Sequence, residues 1–269
     1  MKRLTVVLGL VLSGLVVLAA LVSIVWTPFD PGRAGPDRYA GPGWPHLLGT
    51  DNLGMDTLSR LLVGAQTTLV VGILAVALAA LIGVPLGMAA GAGPRALGQT
   101  IGRGSDILFA LPALLLAILL AAAVPGGASV WTASIAIGVA TIPVFQRMAR
   151  SATLTVMSQD YILAAAVSGT PRWRIAWRHV LPNIAPLLGV QVAASFSTAI
   201  LAEAGLSYLG LSSSGTTPTW GRMLRDANVY VAPSQAIIPG AAIALAVLGF
   251  SLLGDGVRDY LDPRLREVR

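Results

Sequence analysis

The chain has 269 residues, 55% of them hydrophobic and only 11% charged, with a formal net charge of +6 and no cysteine. A soluble domain carries about 25% charged residues, so this composition belongs to an integral membrane protein. Lack of cysteine excludes disulfides and thiolate metal sites, and no basic stripe interleaved with aromatics points to nucleic acid.

A bilayer hydrocarbon core about 30 Å thick needs about 20 apolar helical residues. Six segments supply them in chain order: 4–26, 66–91, 107–124, 130–145 with its flanks, 184–202 and 234–253. Lys2 and Arg3 before the first segment also suit a secretory signal peptide. The run of 23 uncharged residues is longer than the usual apolar region of about 7 to 15, and no A-x-A site closes it. It is therefore read as an uncleaved span. Only Pro125, Gly126 and Gly127 separate the third segment from the fourth, which predicts an antiparallel pair. With the N-terminus inside, 13 of the 18 lysines and arginines fall in cytoplasmic segments and 5 outside, so the positive-inside rule puts both termini in the cytoplasm.

Between the first two spans lies GTDNLGMDTLSRLLVGAQTTL, residues 49–69, whose charges are Asp51, Asp56 and Arg60. A solvated loop with a helix starting near Asp56 explains it, since a carboxylate suits a helix N-terminus. Between the fourth and fifth spans comes DYILAAAVSGTPRWRIAWRHVLPN, residues 160–183. Good helix formers lead to Gly169, then Thr170 and Pro171. A C′ glycine, a Thr N-cap and a Pro at N1 predict a tight two-helix corner. In the second helix Trp173, Ile175, Ala176, Trp177 and Val180 form an apolar stripe, while Arg172, Arg174 and Arg178 face water or phosphate headgroups. An amphipathic anchor at the membrane surface has the same pattern.

The fifth span carries Gln191, Ser195, Ser197 and Thr198, polar groups that either line a pathway or bond to neighbouring helices. Glu203 closes it, a functional candidate by default, although a helix end lets a carboxylate reach headgroup water. The segment that follows, about 30 residues long, is too long for a structureless loop and predicts short helices across the outer mouth. Tyr208 and Trp220 suit a membrane interface.

Four blocks in order carry a resemblance. Tyr161, Ala164, Ala165, Gly169, His179, Leu181, Pro182 and Asn183 stand at the spacing of the cytoplasmic coupling motif of ABC importer permeases. Residues 49–69 resemble a G-T-D, G-x-D, L-S-R, G-A block, residues 200–224 an acidic, L-S-x-L-G-L, W-G-x-M-L block, and residues 254–267 the family's ending. Together they make the chain similar to the C-type subunits of the dipeptide, oligopeptide and nickel permease family.

The resemblance implies an all-α integral membrane protein with six transmembrane helices, the type I ABC importer permease fold and a cytoplasmic coupling helix. Its organisation would be a first helix and extracytoplasmic loop at 1–62, a five-helix permease core at 63–257 with the coupling segment at 158–183, and a cytoplasmic tail at 258–269. It assigns ATPase coupling to Tyr161, Leu163, Ala164, Ala165, Gly169, Arg172, His179, Leu181 and Pro182. Pathway or outer-gate candidates are Gln191, Ser195, Glu203 and Ser207, and binding-protein contacts are Asp51, Asp56, Arg60 and Trp220. Leu163 stands where the motif usually begins with Glu, so a carboxylate that could pair with the motor is missing, and coupling would rest on shape, on the corner and on Asp160 or Arg172.

Lys2 is the only lysine, so no G-x-x-x-x-G-K-[ST] phosphate loop exists and ATP hydrolysis must come from other subunits; the resemblance implies a non-catalytic transmembrane subunit, not an enzyme. The implied partners are a second homologous permease, two ATPase subunits that bind ATP and Mg, an extracytoplasmic solute-binding protein and the lipid bilayer, with no nucleic acid and no cofactor of its own. A secondary carrier lacks the chain of intramembrane carboxylates or histidines it would need, and His46 and His179 are too isolated for a metal site. The implied setting is a bacterial plasma membrane and the cargo dipeptides or oligopeptides, with nickel or another small solute such as haem as the alternative.

Overall fold

The computed structural model describes residues 2–124, 127–213, 217–229 and 233–261. Among them the secondary structure is helical apart from one isolated bridge between Thr50 and Asp56. The long helices are α1 (Lys2–Val25), α2 (Thr57–Ala92), α5 (Val130–Met157), α8 (Leu181–Tyr208) and α10 (Pro233–Leu261). Shorter ones are α3 (Arg95–Phe109), α4 (Ala113–Ala123), α6 (Asp160–Val167), α7 (Arg172–Ile175) and α9 (Trp220–Val229). Five helices are long and apolar enough to cross a membrane, and the count reaches six if the bent pair α3 and α4 is one span.

That pair corrects the expected third span. Residues 107–124 do not form one helix: α3 ends at Phe109, and α4 leaves it at 84°. Pro112 is the cause, because it disfavours helical backbone at Leu111 and supplies no N–H, and it sits as the N-cap of α4. The 11 residues of α4 rise only about 16 Å, half the hydrocarbon thickness. The turn expected at 125–127 has Pro125 and Gly126 outside the described residues, as is most of the tail at 258–269.

The core is built on α2 against α5. Gly83, Gly87 and Gly91 recur every fourth residue and so share one face of α2, where the backbone of α5 approaches closely. A Cβ on Gly87 would lie 2.5 Å from the Gln146 carbonyl oxygen, and one on Gly83 would lie 2.7 Å from Cβ of the fully buried Phe145. On the other flank, α1 packs antiparallel on α10: Gly9 meets Leu253, Gly249 meets Leu12, and Gly256 meets Val6. Small residues therefore set helix spacing in both layers, which is how helices associate when lipid is as apolar as they are.

The fifth span also differs from expectation. The second corner helix does not close at Leu181 and Pro182 but runs on through a π-helical turn, Ala176–Val180, into α8. One apolar element, Arg172–Tyr208, results, 37 residues long. Pro182 has no N–H, and its ring crowds the carbonyl of Arg178 four residues back; widening to the i+5 bond from Leu181 N–H to the Ala176 carbonyl makes room without a break.

Candidate functional site: a corner and a cap joined by one helix

At one end of the bundle α6 finishes in a Schellman motif. The Gly169 N–H donates to the Ala166 carbonyl at 3.0 Å and the Thr170 N–H to the Ala165 carbonyl at 3.1 Å, with Gly169 at φ +81°. Nothing lies within 4 Å of where a Gly169 Cβ would stand, so glycine is required there by backbone conformation alone. The expected Thr170 cap is corrected: Pro171 is the N-cap of α7, its carbonyl accepting from the N–H groups of Arg174 and Ile175.

The corner is held from within by Ile162, Ile175, Val180 and Ile184, all buried. At its edge the Asn183 side-chain amide donates to the Tyr161 hydroxyl at 3.1 Å and to the His179 carbonyl at 2.7 Å. The Tyr161 and His179 rings meet edge to face, 6.4 Å between centroids. Asn183 thus ties the first corner helix to the long one. The apolar stripe expected on the second helix divides: Ile175, Ala176 and Val180 are buried, while Trp173 and Trp177 are exposed along a groove with Pro85, Met88 and Leu97. What the corner presents outward is Leu163, Ala164, Val167, Gly169, Pro171 and Arg172, with Val167 90% exposed. Ala165 and Leu181 are half-buried behind them, and Pro182 is exposed.

At the other end a cap of loops and α9 closes over α2 and α8. Glu203 is fully buried, and its carboxyl accepts from the Ser212 hydroxyl at 3.0 Å and the Thr68 hydroxyl at 3.3 Å. It therefore joins α8, α2 and the segment after α8, and does not reach headgroup water. Ser207 bonds Thr219, and Trp220 is buried with its indole N–H donating to the Leu61 carbonyl at 2.9 Å. Gly64 and Gly221 make that seat possible: a Cβ on Gly64 would stand 2.5 Å from the Trp220 ring, and one on Gly221 2.1 Å from the Ala204 carbonyl oxygen. The short helix expected here is α9.

The loop ahead of α2 is equally knit. Asp56 is the N-cap of α2, accepting from Ser59 N–H at 2.7 Å, and its other carboxylate oxygen meets His46 Nδ1 at 2.9 Å. Asp51 accepts from the N–H groups of Leu53 and Met55 and pairs with the buried Arg60 guanidinium, which also lies 3.8 Å from Asp226 on α9. Asp56, Arg60 and Trp220 are thus inside the cap, shaping its surface from beneath, while Asp51 is half-buried. Along α8 the Gln191 amide donates to the Ser195 hydroxyl at 3.0 Å and the Thr198 hydroxyl to the Ser195 carbonyl at 2.9 Å, so these polar groups are satisfied within their own helix.

Two features of the candidate site escape sequence reasoning. Thr68 and Ser212 are the partners of Glu203, and their only signal is a hydroxyl opposite a carboxylate in otherwise apolar surroundings. The continuity of corner and span is the second, hidden because Pro182 reads as a terminator.

The geometry is that of a multi-span helical bundle with an exposed helix corner at one end and a closely packed cap at the other. Comparison with known proteins gives the class: residues 83–267 match the family described as Binding-protein-dependent transport system inner membrane component, and the chain belongs to that family. It is 38% identical to the dipeptide transport system permease protein DppC of Alkalihalophilus pseudofirmus, over 98% of this chain and 88% of that protein. To the di/tripeptide transport system permease protein DppC of Pseudomonas aeruginosa it is 40% identical, over 97% and 88%. Its fold matches a solved inward-facing structure of the MetNI methionine ABC transporter with a TM-score of 0.61, at 18% identity, over 78% of this chain and 96% of that one. The protein is therefore a non-catalytic, multi-pass inner-membrane permease subunit of a binding-protein-dependent ABC importer.

Proposed function

We propose that this subunit carries dipeptides or oligopeptides across the membrane together with a second homologous permease, driven by two ATPase subunits that dock at the corner and fed by an extracytoplasmic solute-binding protein at the cap. Peptide cargo is supported by the relatives, whose names specify dipeptides and di/tripeptides. Both termini and the corner lie in the cytoplasm on this reading, which the 13 to 5 arginine and lysine distribution supports. The first helix and outer loop at 1–62, the core at 63–257 and the tail at 258–269 then act as anchor, pathway and cytoplasmic end.

The observation that carries the reading is the unbroken helix Arg172–Tyr208, about 55 Å long, which begins at the corner and ends beside Glu203 in the cap. A push on Arg172 would reach the cap through one continuous helix, and a push on Leu163 would join it across the Gly169 corner and the bond from Asn183 to Tyr161. ATP closure would tilt α8, and Glu203 with Ser207 would move the cap with it. Asp51, Asp56, Arg60 and Trp220 would serve binding-protein contact by holding the surface it meets. Gln191 and Ser195 would serve the pathway only where a tilt frees them from each other.

Proteoliposomes holding the full complex should take up a labelled dipeptide only with ATP, the ATPase subunits and the loaded binding protein all present. Nickel uptake under the same conditions, with none of dipeptide, would replace the cargo. Uptake by this chain alone under an ion gradient would overturn the importer reading.

A further inference from the structure

A pocket of about 350 Å³ opens between α3 and the end of α5 that leads into the corner, lined by residues of neither the corner nor the cap. Gln146 lines it and is only 1% exposed, yet neither its amide nitrogen nor its amide oxygen has a hydrogen-bond partner among the described residues. A buried amide left unpaired is costly, which points to a group from outside the chain that answers it. Arg150 stands one turn further along α5 and lines the same pocket, with no ion pair or hydrogen bond of its own among the described residues. Its guanidinium lies in a channel that α3 leaves open with two glycines: a Cβ on Gly102 would come within 2.9 Å of one terminal nitrogen, and one on Gly98 within 3.8 Å of the other.

The remaining charges are already matched. Arg147 donates to the Asp106 carboxylate at 2.8 Å and stacks 3.9 Å from the Phe109 ring centroid, which leaves Arg150 as the free positive charge in the pocket. A guanidinium fork beside an amide N–H₂ and the lining Ser151 is a donor set for an oxyanion with several acceptor oxygens. Depth agrees. Arg150 is twenty residues into α5, about 30 Å from Val130, so when Val130 marks one boundary of the hydrocarbon the guanidinium lies at the opposite one, at the level of phosphate headgroups.

We propose that the pocket formed by Gln146, Arg150 and Ser151 of α5 over Gly98 and Gly102 of α3 is a binding site for a phosphate-type oxyanion. The phosphate comes either from an anionic lipid headgroup or from solution, and the same donors recognise both. Binding there would pin α3, which runs beside α5, to the membrane boundary.

The full chain purified in detergent tests this by thermal melting and native mass spectrometry with three probes: dihexanoyl phosphatidylglycerol, dihexanoylglycerol with the same acyl chains but no phosphate, and inorganic phosphate against chloride at equal ionic strength. Phosphatidylglycerol alone raising the melting temperature and remaining bound assigns a lipid headgroup, and inorganic phosphate doing so equally assigns a soluble ion. Either result upholds the site, provided that Arg150→Gln weakens binding at least about tenfold. Gln146→Glu guards against misfolding, since it gives Arg150 an internal partner: it should melt no lower than wild type without ligand and lose the phosphate response. No response to either phosphate probe, or an unchanged one in a well-folded Gln146→Glu variant, overturns the proposal and leaves the amide simply hydrated.

Discussion

Gly169→Val is expected to leave membrane insertion and subunit abundance near normal and to reduce solute uptake to a small fraction of wild type. The residue has φ +81° and open space where a Cβ would stand, so valine meets no neighbour and acts through backbone conformation alone. Leaving the left-handed region removes a strain of about 1–2 kcal/mol and, with it, both hydrogen bonds of the Schellman motif. Those bonds aim Pro171 and the start of α7. Because α7 continues into α8 without a break, a misdirected α7 changes how the long helix receives motion, while the buried packing of Ile175 and Val180 holds the protein together. Gly169→Asn should retain much of the uptake, since asparagine tolerates the left-handed conformation. Uptake and binding-protein-stimulated ATP hydrolysis, measured on the same reconstituted complex, check this. Wild-type values for both in Gly169→Val, at normal abundance, would reduce the corner to a surface anchor.

Glu203→Leu should destabilise the cap and depress transport together. Leucine has a similar size, but it leaves the buried Thr68 and Ser212 hydroxyls without their acceptor, at about 1–3 kcal/mol for each group. Glu203→Gln keeps an acceptor oxygen and an amide that can donate, so its loss should be the smaller. Thermal melting in detergent separates the two, with Glu203→Leu clearly lower. Equal melting of both variants with wild type would mean that the carboxyl is not what ties α8 to α2 and the segment beyond.

Much of this architecture was legible from periodicity and punctuation. Asp56 announces the start of α2 because a carboxylate there can cap free N–H groups, and Gly169 announces the corner because only a residue without Cβ is at ease at positive φ. The break at Pro112 was not, because residues 107–124 remain apolar throughout and hydropathy does not distinguish a straight span from two pieces at 84°. The π-helical turn was hidden for the opposite reason: Pro182 reads as a stop, yet a wider turn absorbs it. Burial of Asp56, Arg60 and Trp220 was also out of reach, since these side chains look solvated or interfacial until His46, Asp51 and the Leu61 carbonyl are brought alongside by the fold. The residues proposed for coupling fell together because they are close in sequence, whereas Glu203 found its partner Thr68 across 135 residues.

The cysteine-free sequence allows the central claim to be tested by contact. Single cysteines at Val167, 90% exposed at the corner, and at Trp44, 92% exposed in the loop before α2, can each be labelled with a photoactivatable maleimide in the intact complex. Illumination should join the Val167 position to an ATPase subunit and leave the Trp44 position unattached to it. An ATPase subunit captured from Trp44, or none captured from Val167 in a complex that still transports, would contradict the account.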